Sequence, residues 1–404
     1  MDRDGGRSGS NVPSSRIVWS RKRANAASGS ARLPPPQSPR RRDGFAFAGF
    51  ASITLPAPIV RARDSKPKRS MTDVLHETPG NFVPEQAFGG HFTARDGKKI
   101  RFARFAAAAR PLKGTVVILT GRNECIEKYF ETVRDLQRRG FGVATLDWRG
   151  QGGSERLLRD PARGYVRRFD DYAQDLGQFF EDVVLPDCRG PYFVLAHSTG
   201  ATVALLAAPT LANRVRRMVL LAPFLALPGQ RPSMRTVRRI TLALTLLGLG
   251  RLYAAWGPPP KQAAPFEGNT LTSDPARYAR NANIYEARPE LAVGGPTVRW
   301  LRAAALAAAR VGDPDFLASN RVPTLIVAAG ADKVVSTRAV EAHARHMRLA
   351  SLLTIDGARH ELLQEADLYR EQLLAAFDAF VPGTRDGAAE PPDATMRPQQ
   401  RPAG

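Results

Sequence analysis

One short stretch restricts the fold of this 404-residue chain more than any other. The apolar run Tyr192-Phe193-Val194-Leu195 leads into Ala196-His197-Ser198-Thr199-Gly200, and small, helix-compatible residues follow from Ala201. An apolar run of this length ending in a turn predicts a buried strand. Where a strand turns sharply into a helix, one hydroxyl is lifted above the sheet, and its neighbours must be small because backbone segments approach closely. We interpret Ser198 as a serine held at such a turn.

A serine hydroxyl is a poor nucleophile until a base takes its proton, so the turn predicts an acid and a histidine in loops after later strands. Asp332 follows a predicted buried strand at 323–330, and His360 lies in the loop after a predicted final strand at 351–355. We predict a catalytic set of Ser198, Asp332 and His360, in which His360 is general base and then acid, and Asp332 fixes its tautomer. Three competing acids are less well placed relative to these strands: Asp313, Asp315 and Asp356.

Acyl transfer also needs hydrogen-bond donors for the oxyanion. The backbone N–H of Thr199, the residue after the serine, is one candidate, and the N–H of Arg122, in the loop after a predicted strand at 114–119, is the other. Each such donor stabilises a transition state by roughly 3 to 4 kcal/mol. The glycine-rich segment 147–154 lacks a Walker lysine, so we interpret it as a structural loop beside the site.

From Gly114 onward strands and helices alternate, which predicts a mainly parallel, doubly wound α/β sheet. A helical, proline-punctuated segment interrupts this alternation and predicts an inserted cap. We expect the boundaries to be a basic extension at 1–70, core at 80–222, cap at 223–320, core at 321–382 and a tail at 383–404.

The first predicted helix of the cap has arginines ahead of an uncharged apolar stretch at 240–250 that is too short to span a bilayer. Two interpretations stay open: a helix packed on the core, or one that lies at a lipid surface with Arg235, Arg238 and Arg239 near anionic head groups. If the helix lies at a lipid surface, we expect the cap to make peripheral contact with a membrane.

The first 70 residues hold 15 basic and 4 acidic residues, about half of the net charge of +21, and show no regular periodicity. We expect disorder there, and Met71 is a candidate start of the native protein. The segment 40–53 begins too late for a usual export signal, and charge without interleaved aromatics predicts no specific nucleic-acid binding. Cys125 and Cys188 indicate neither a disulfide framework nor a metal site. We expect a cytoplasmic protein, peripheral to the inner membrane if the cap contacts lipid.

The chain resembles bacterial lysophospholipases of the monoacylglycerol-lipase-like (serine aminopeptidase-type) group of α/β-hydrolases. The similarity covers about residues 80–382 and rests on five segments: 120–124, 147–152, 196–200, 269–278 with 295–300, and 357–363. It departs from the family at Thr199, where methionine is usual, and at Thr120, where monoacylglycerol lipases have histidine.

The resemblance implies an enzyme without a cofactor that hydrolyses carboxylic esters of lysophospholipids or monoacylglycerols through an acyl-serine intermediate. Alternatives on the same fold are a small-ester esterase, an aminopeptidase, an acyltransferase that uses glycerol in place of water, and a catalytically silent binding protein. The intact set of Ser198, Asp332 and His360 argues against the last of these.

Overall fold

The computed structural model describes residues 74–229, 232–255, 257–259 and 264–382. The expectations for the basic extension, for Met71 as a start and for the tail at 383–404 lie outside the described residues.

Within these ranges, eight strands form one sheet in the order β1-β2-β4-β3-β5-β6-β7-β8. The first two strands pair antiparallel, β2 pairs antiparallel with β4, and the other pairings are parallel. The mainly parallel α/β sheet predicted from the sequence is confirmed. The strands are β1 (Ala87–Thr93), β2 (Lys99–Phe105), β3 (Gly114–Leu119), β4 (Phe141–Leu146), β5 (Tyr192–His197), β6 (Val215–Leu221), β7 (Thr324–Ala329) and β8 (Ala350–Ile355).

Helices cover both faces of this sheet, as its central strand shows. All six residues of β3 are buried, and they alternate between two hydrophobic clusters, with Val117 and Leu119 in one and Val116 and Ile118 in the other. A strand buried on both faces reads as a continuous apolar run, which is why the sequence revealed it. The helices in the described ranges are α1 (Phe130–Arg138), α2 (Phe169–Phe179), α3 (Leu185–Asp187), α4 (Thr199–Leu211), α5 (Met234–Leu246), α6 (Pro275–Ala287), α7 (Val298–Val311), α8 (Pro314–Ser319), α9 (Thr337–His346) and α10 (Asp367–Phe380).

Helices α5 to α8 lie between β6 and β7 in the chain, and we call this insertion the cap. Helix α5 packs against α7 through Val237 and Thr241, which are buried, while Leu246 and Leu247 are 78% and 73% exposed. None of the helices in the described part of the chain combines the length and the apolar character needed to cross a membrane.

The parallel strands deliver their following loops to one edge of the sheet. Strands β3, β5, β7 and β8 run in the same direction, so the loops after them all emerge at the carboxyl edge. In open α/β sheets this edge is where ligands bind.

Candidate active site

The side chains of Ser198, His360 and Asp332 form one hydrogen-bonded line at the carboxyl edge. His360 Nε2 lies 3.0 Å from Ser198 Oγ, and His360 Nδ1 lies 2.7 Å from Asp332 Oδ2. The structure therefore brings together residues that are 162 and 28 positions apart. One imidazole nitrogen faces a hydroxyl and the other a carboxylate, which is the arrangement that activates a serine nucleophile.

Ser198 occupies the junction between β5 and α4 in a strained conformation. Its φ is 51° and its ψ is −112°, in a region that costs a non-glycine residue about 1 to 3 kcal/mol. The end of β6 and the loop after it hold this conformation: the Ser198 N–H donates to the Leu221 carbonyl at 2.9 Å, and the Phe224 N–H donates to the Ser198 carbonyl at 3.2 Å. The sharp turn predicted from the sequence is present, and it directs the hydroxyl toward His360.

The loops that carry the acid and the base are fastened to each other. The Ala331 N–H donates to the Ala358 carbonyl at 2.9 Å. Asp332 Oδ1 accepts hydrogen bonds from the Val334 and Val335 amides at 2.7 and 2.9 Å. Burial raises the pKa of Asp332, but the hydrogen bond from His360 and those from the two amides outweigh it and hold this pKa below its ordinary value. Asp332 is therefore anionic and free to orient the imidazole through its other oxygen.

Of the competing acids, Asp313 accepts hydrogen bonds from the first backbone amides of α8 and so acts as a helix cap.

The two proposed oxyanion donors leave the sheet side by side. Leu119 and Ala196 are paired in the register of β3 with β5, and Arg122 and Thr199 each follow three residues later. Thr199 is the first residue of α4, so its N–H lacks an intrahelical acceptor. A Cβ on Gly200 would lie 2.5 Å from the Thr120 carbonyl oxygen, which shows how closely α4 approaches the loop after β3. Only glycine permits this approach.

The segment 147–154 supports the loop after β3. Gln151 accepts a hydrogen bond from the Asn123 N–H at 3.2 Å and donates to the Gly121 carbonyl at 3.0 Å. The indole N–H of Trp148 donates to the Thr120 carbonyl at 2.8 Å. This is the structural loop beside the site that the sequence predicted.

A buried ionic network that was not predicted from the sequence lies behind the base. His197 Nδ1 is 3.1 Å from Glu124 Oε1, and His197 Nε2 is 3.1 Å from the His360 carbonyl oxygen. Lys128 Nζ bridges Glu124 Oε1 at 3.0 Å and Glu361 Oε1 at 2.6 Å. Glu124 also accepts hydrogen bonds from the Tyr129 hydroxyl and the Gly121 N–H.

The charge state of His197 follows from its two acceptors. Burial raises the pKa of Glu124, but Lys128 and His197 outweigh it and bring that pKa well below its ordinary value, so Glu124 is a carboxylate. A carboxylate and a carbonyl both accept, so both nitrogens of His197 must donate and the ring is an imidazolium. Burial lowers the pKa of His197, but the charge and the hydrogen bond of Glu124 outweigh burial, so this pKa lies above its ordinary value. The network thus links the loop of the predicted oxyanion donor to the backbone of the base.

A charge pair four residues apart, Glu124 and Lys128, was the available sequence signal for this network. On a helical surface such a pair is normally solvated, so the sequence alone did not distinguish it from an exposed pair.

The cap is fastened directly to the loop of the base. The Glu361 N–H donates to the Leu271 carbonyl at 2.8 Å, and Arg359 Nη1 donates to the Thr272 carbonyl at 2.8 Å. On the cap helix α6, Arg277 Nη2 lies 2.7 Å from Glu131 Oε1 of α1. Ser198 and His360 are both buried, with 6% and 4% of their surface exposed.

Metal chemistry has no obvious donor set in the described part of the chain. No cluster of three or more histidine, cysteine, aspartate or glutamate side chains with metal-binding geometry lies there. Cys125 and Cys188 are free thiols.

The family profile described as "Serine aminopeptidase, S33" matches residues 110–367, which contain the cap and all three residues of the hydrogen-bonded line. The chain belongs to this family. Lysophospholipase L2 of Escherichia coli strain K12 is 35% identical over 309 residues, which cover 72% of this chain and 86% of that protein.

Two further proteins to which this chain is similar are monoglyceride lipases. Monoglyceride lipase of Rattus norvegicus is 28% identical over 178 residues, covering 43% of this chain and 56% of that protein. Among solved structures, a soluble variant of the monoglyceride lipase from Saccharomyces cerevisiae with a substrate analogue has a TM-score of 0.59 at 18% identity, covering 74% of this chain and 96% of that one. This last likeness shows that the fold is shared and establishes the α/β-hydrolase architecture predicted from the sequence.

Proposed function

We propose that this chain is a serine hydrolase that cleaves carboxylic esters of lysophospholipids or monoacylglycerols through an acyl-Ser198 intermediate. The observation that carries the proposal is the hydrogen-bonded line from Ser198 through His360 to Asp332, with 3.0 and 2.7 Å between the interacting atoms. The names of the relatives, a lysophospholipase and a monoglyceride lipase, support the substrate class.

In the proposed reaction, His360 takes the proton of Ser198 as the hydroxyl oxygen attacks the ester carbonyl carbon. The oxyanion that forms accepts hydrogen bonds from the N–H groups of Arg122 and Thr199. As the tetrahedral species collapses, His360 gives its proton to the departing glycerol oxygen, and the acyl group stays on Ser198. Water, deprotonated by His360, then releases the fatty acid. Asp332 stabilises the imidazolium in both half-reactions.

Ester hydrolysis is favoured over aminopeptidase activity by the state of the nearby acids. An aminopeptidase site needs a free carboxylate for the substrate amine. Asp332 contacts His360, Lys128 bridges Glu124 and Glu361, and Glu124 also pairs with His197. These carboxylates around the base are already occupied.

A fluorophosphonate probe tests the nucleophile. One set of wild-type and Ser198→Ala samples is incubated with the probe to measure labelling. A second set, without probe, is incubated with lysophosphatidylcholine, monoacylglycerol and a short p-nitrophenyl ester to measure released acid. We expect labelling of wild type only, preference for the long-chain lipids, and a loss of turnover in Ser198→Ala of roughly a millionfold. Retention of most activity by Ser198→Ala contradicts the proposal. No labelling and no release by wild type favours a silent binding protein.

We also propose that the cap contacts a lipid surface through α5. Three large apolar side chains of this region are strongly exposed: Ile240 at 52%, Leu246 at 78% and Leu247 at 73%. Arg235 and Arg238 of the same helix are exposed as well, and a helix with apolar side chains beside arginines binds anionic lipid at the interface. The cytoplasmic location expected from the sequence stays a prediction.

Sedimentation with phosphatidylglycerol-rich vesicles at low salt tests this contact. We expect wild type to sediment and a Leu246→Glu, Leu247→Glu double variant to stay in the supernatant. Leu368→Glu is the matched control, because Leu368 is 69% exposed on α10, outside the cap. Equal sedimentation of all three proteins, or none, refutes the contact.

A further inference from the structure

Arg122 is half-buried, with its Nε fully buried, and it differs from the buried arginines of this protein because no carboxylate pairs with its guanidinium among the described residues. Arg101, Arg149 and Arg370 all form ion pairs with aspartate or glutamate side chains. Arg122 Nη2 donates to the Gly294 carbonyl of the cap, and its Nε is buried without a hydrogen-bond partner. Burial lowers the pKa of Arg122 to about 10, which still leaves it cationic at neutral pH. An uncompensated cation with an unused donor is costly to keep inside a protein.

The guanidinium lies between the loop after β3 and the cap. Its Cζ is 5.3 Å from the centroid of the Trp300 ring of α7. The Trp300 ring is in turn 6.2 Å from the ring of Phe224, whose N–H donates to the Ser198 carbonyl. The Arg122 guanidinium is thus connected to the backbone of Ser198 through Trp300 and Phe224. The backbone N–H of Arg122 is the proposed oxyanion donor.

The arginine side chain spans as many bonds as the segment between the ester and the phosphate of a lysophospholipid. From the backbone nitrogen of an arginine to its guanidinium carbon there are six bonds, on the order of 7 Å when extended. From the ester carbonyl carbon of a 1-acyl lysophospholipid to its phosphorus there are also six. The two spans therefore have the same maximum length, so a substrate whose carbonyl oxygen accepts from the Arg122 N–H can extend its phosphate as far as the same residue's guanidinium extends. Arginine is the side chain best suited to phosphate oxygens, because its planar fork donates to two of them.

We propose that Arg122 is a specificity-determining residue whose guanidinium binds the phosphate of a lysophospholipid head group, so that the enzyme prefers lysophospholipids to monoacylglycerols. This rests on the proposed function, since it assumes that ester carbonyl and oxyanion donors meet as described. The phosphate supplies the anion that the protein itself does not provide.

The test compares kcat/KM for lysophosphatidylcholine with kcat/KM for the monoacylglycerol of the same acyl chain. Arg122→Met removes the charge but keeps the backbone N–H and an apolar stem against Trp300. Since a hydrogen bond to a charged group is worth about 1.5 to 3 kcal/mol, we expect the ratio of the two constants to fall about 10- to 100-fold. Arg122→Lys, which keeps the charge without the fork, should give an intermediate ratio.

Arg156→Met is the matched control. Arg156 likewise has no hydrogen bond to a carboxylate within the described ranges. It donates to the carbonyls of the same cap segment, with Nη2 3.2 Å from the Ala292 oxygen, but it comes from the loop after β4. If Arg122 only fastened the cap, both methionine variants would lower both constants alike and the ratio would stay at the wild-type value. That result, or an equal fall of the ratio in Arg156→Met, overturns the proposal.

Two further measurements distinguish a head-group site from a site for free anions, and this inference from the proposed function. If millimolar inorganic phosphate inhibits monoacylglycerol hydrolysis by wild type but not by Arg122→Met, while the ratio of the two constants is the same in both proteins, Arg122 binds free anions only and the head-group assignment is wrong. Wild type that labels with fluorophosphonate but cleaves monoacylglycerol faster than lysophospholipid refutes the inference and leaves the serine hydrolase intact. Should Arg122→Met fail to fold, Arg122→Gln, which keeps a donor for the Gly294 carbonyl, carries the same comparison.

Discussion

Replacing His197 with glutamine removes a buried cation and one of its two donors. In wild type the imidazolium donates to Glu124 and to the His360 carbonyl. A glutamine amide has one NH₂ group and cannot reach both acceptors from one rotamer with the same geometry. Leaving one buried acceptor unsatisfied costs roughly 1 to 3 kcal/mol, so we expect His197→Gln to lower the free energy of unfolding by about 2 kcal/mol at pH 6.

The contribution of His197 to the free energy of unfolding depends on pH. Because the pKa of His197 is raised above 6.5 in the folded protein, its contribution to stability is complete below pH 6.5 and is lost as the pH rises through the folded-state pKa. The gap between wild type and His197→Gln should therefore be largest near pH 6 and shrink toward pH 9. The ionisable groups around His197 are present in both proteins, so comparing the two stability curves removes most of their effect. These groups are Glu124, Lys128, Tyr129, His360 and Glu361.

Urea unfolding of both proteins at pH 6, 7.5 and 9 measures this gap, with the slope of the transition checking that the exposed surface is unchanged. The same samples, labelled with fluorophosphonate, report whether the base still activates the serine. A stability gap that does not change with pH would mean that His197 is neutral in the folded protein, and the reasoning from its two acceptors would be refuted.

Two more perturbations test the packing around the site. Burial raises the pKa of Glu131, but hydrogen bonds from Arg277 and Arg280 outweigh it and bring that pKa to about 2. Glu131→Gln should therefore cost about 3 kcal/mol of stability at neutral pH, with the gap closing as the pH falls from 4.5 toward 2; a gap independent of pH in acid unfolding curves contradicts this. Gly200→Ala should destabilise the fold by about 1 to 3 kcal/mol and slow fluorophosphonate labelling, because its Cβ meets the Thr120 carbonyl; unchanged midpoint and labelling rate would show that the approach is looser than described.

The elements that the sequence predicted are those whose physical cause is local. Strands β3 and β7 are buried on both faces, so they read as uninterrupted apolar runs, and the small residues around Ser198 mark a close backbone approach. The antiparallel pair β1 and β2 was not predicted strand by strand. Strand β1 lies at the border of the sheet, is half-buried and contains two glycines, while β2 is mostly buried but carries Lys99, Arg101 and Arg104, so neither strand shows a continuous apolar run.

The chain order of Ser198, Asp332 and His360 was readable because each follows a recognisable strand, and parallel strands send their loops to one edge. The residue pattern along the chain was therefore enough to predict the fold class and the residues that reach that edge. The two hydrogen bonds of His197 behind the base, and the buried Arg122 Nε without a partner or a counter-charge among the described residues, became visible only in the folded protein. Both properties depend on desolvation and on which groups from distant parts of the chain face one atom, and neither is encoded in the spacing of residues along the chain.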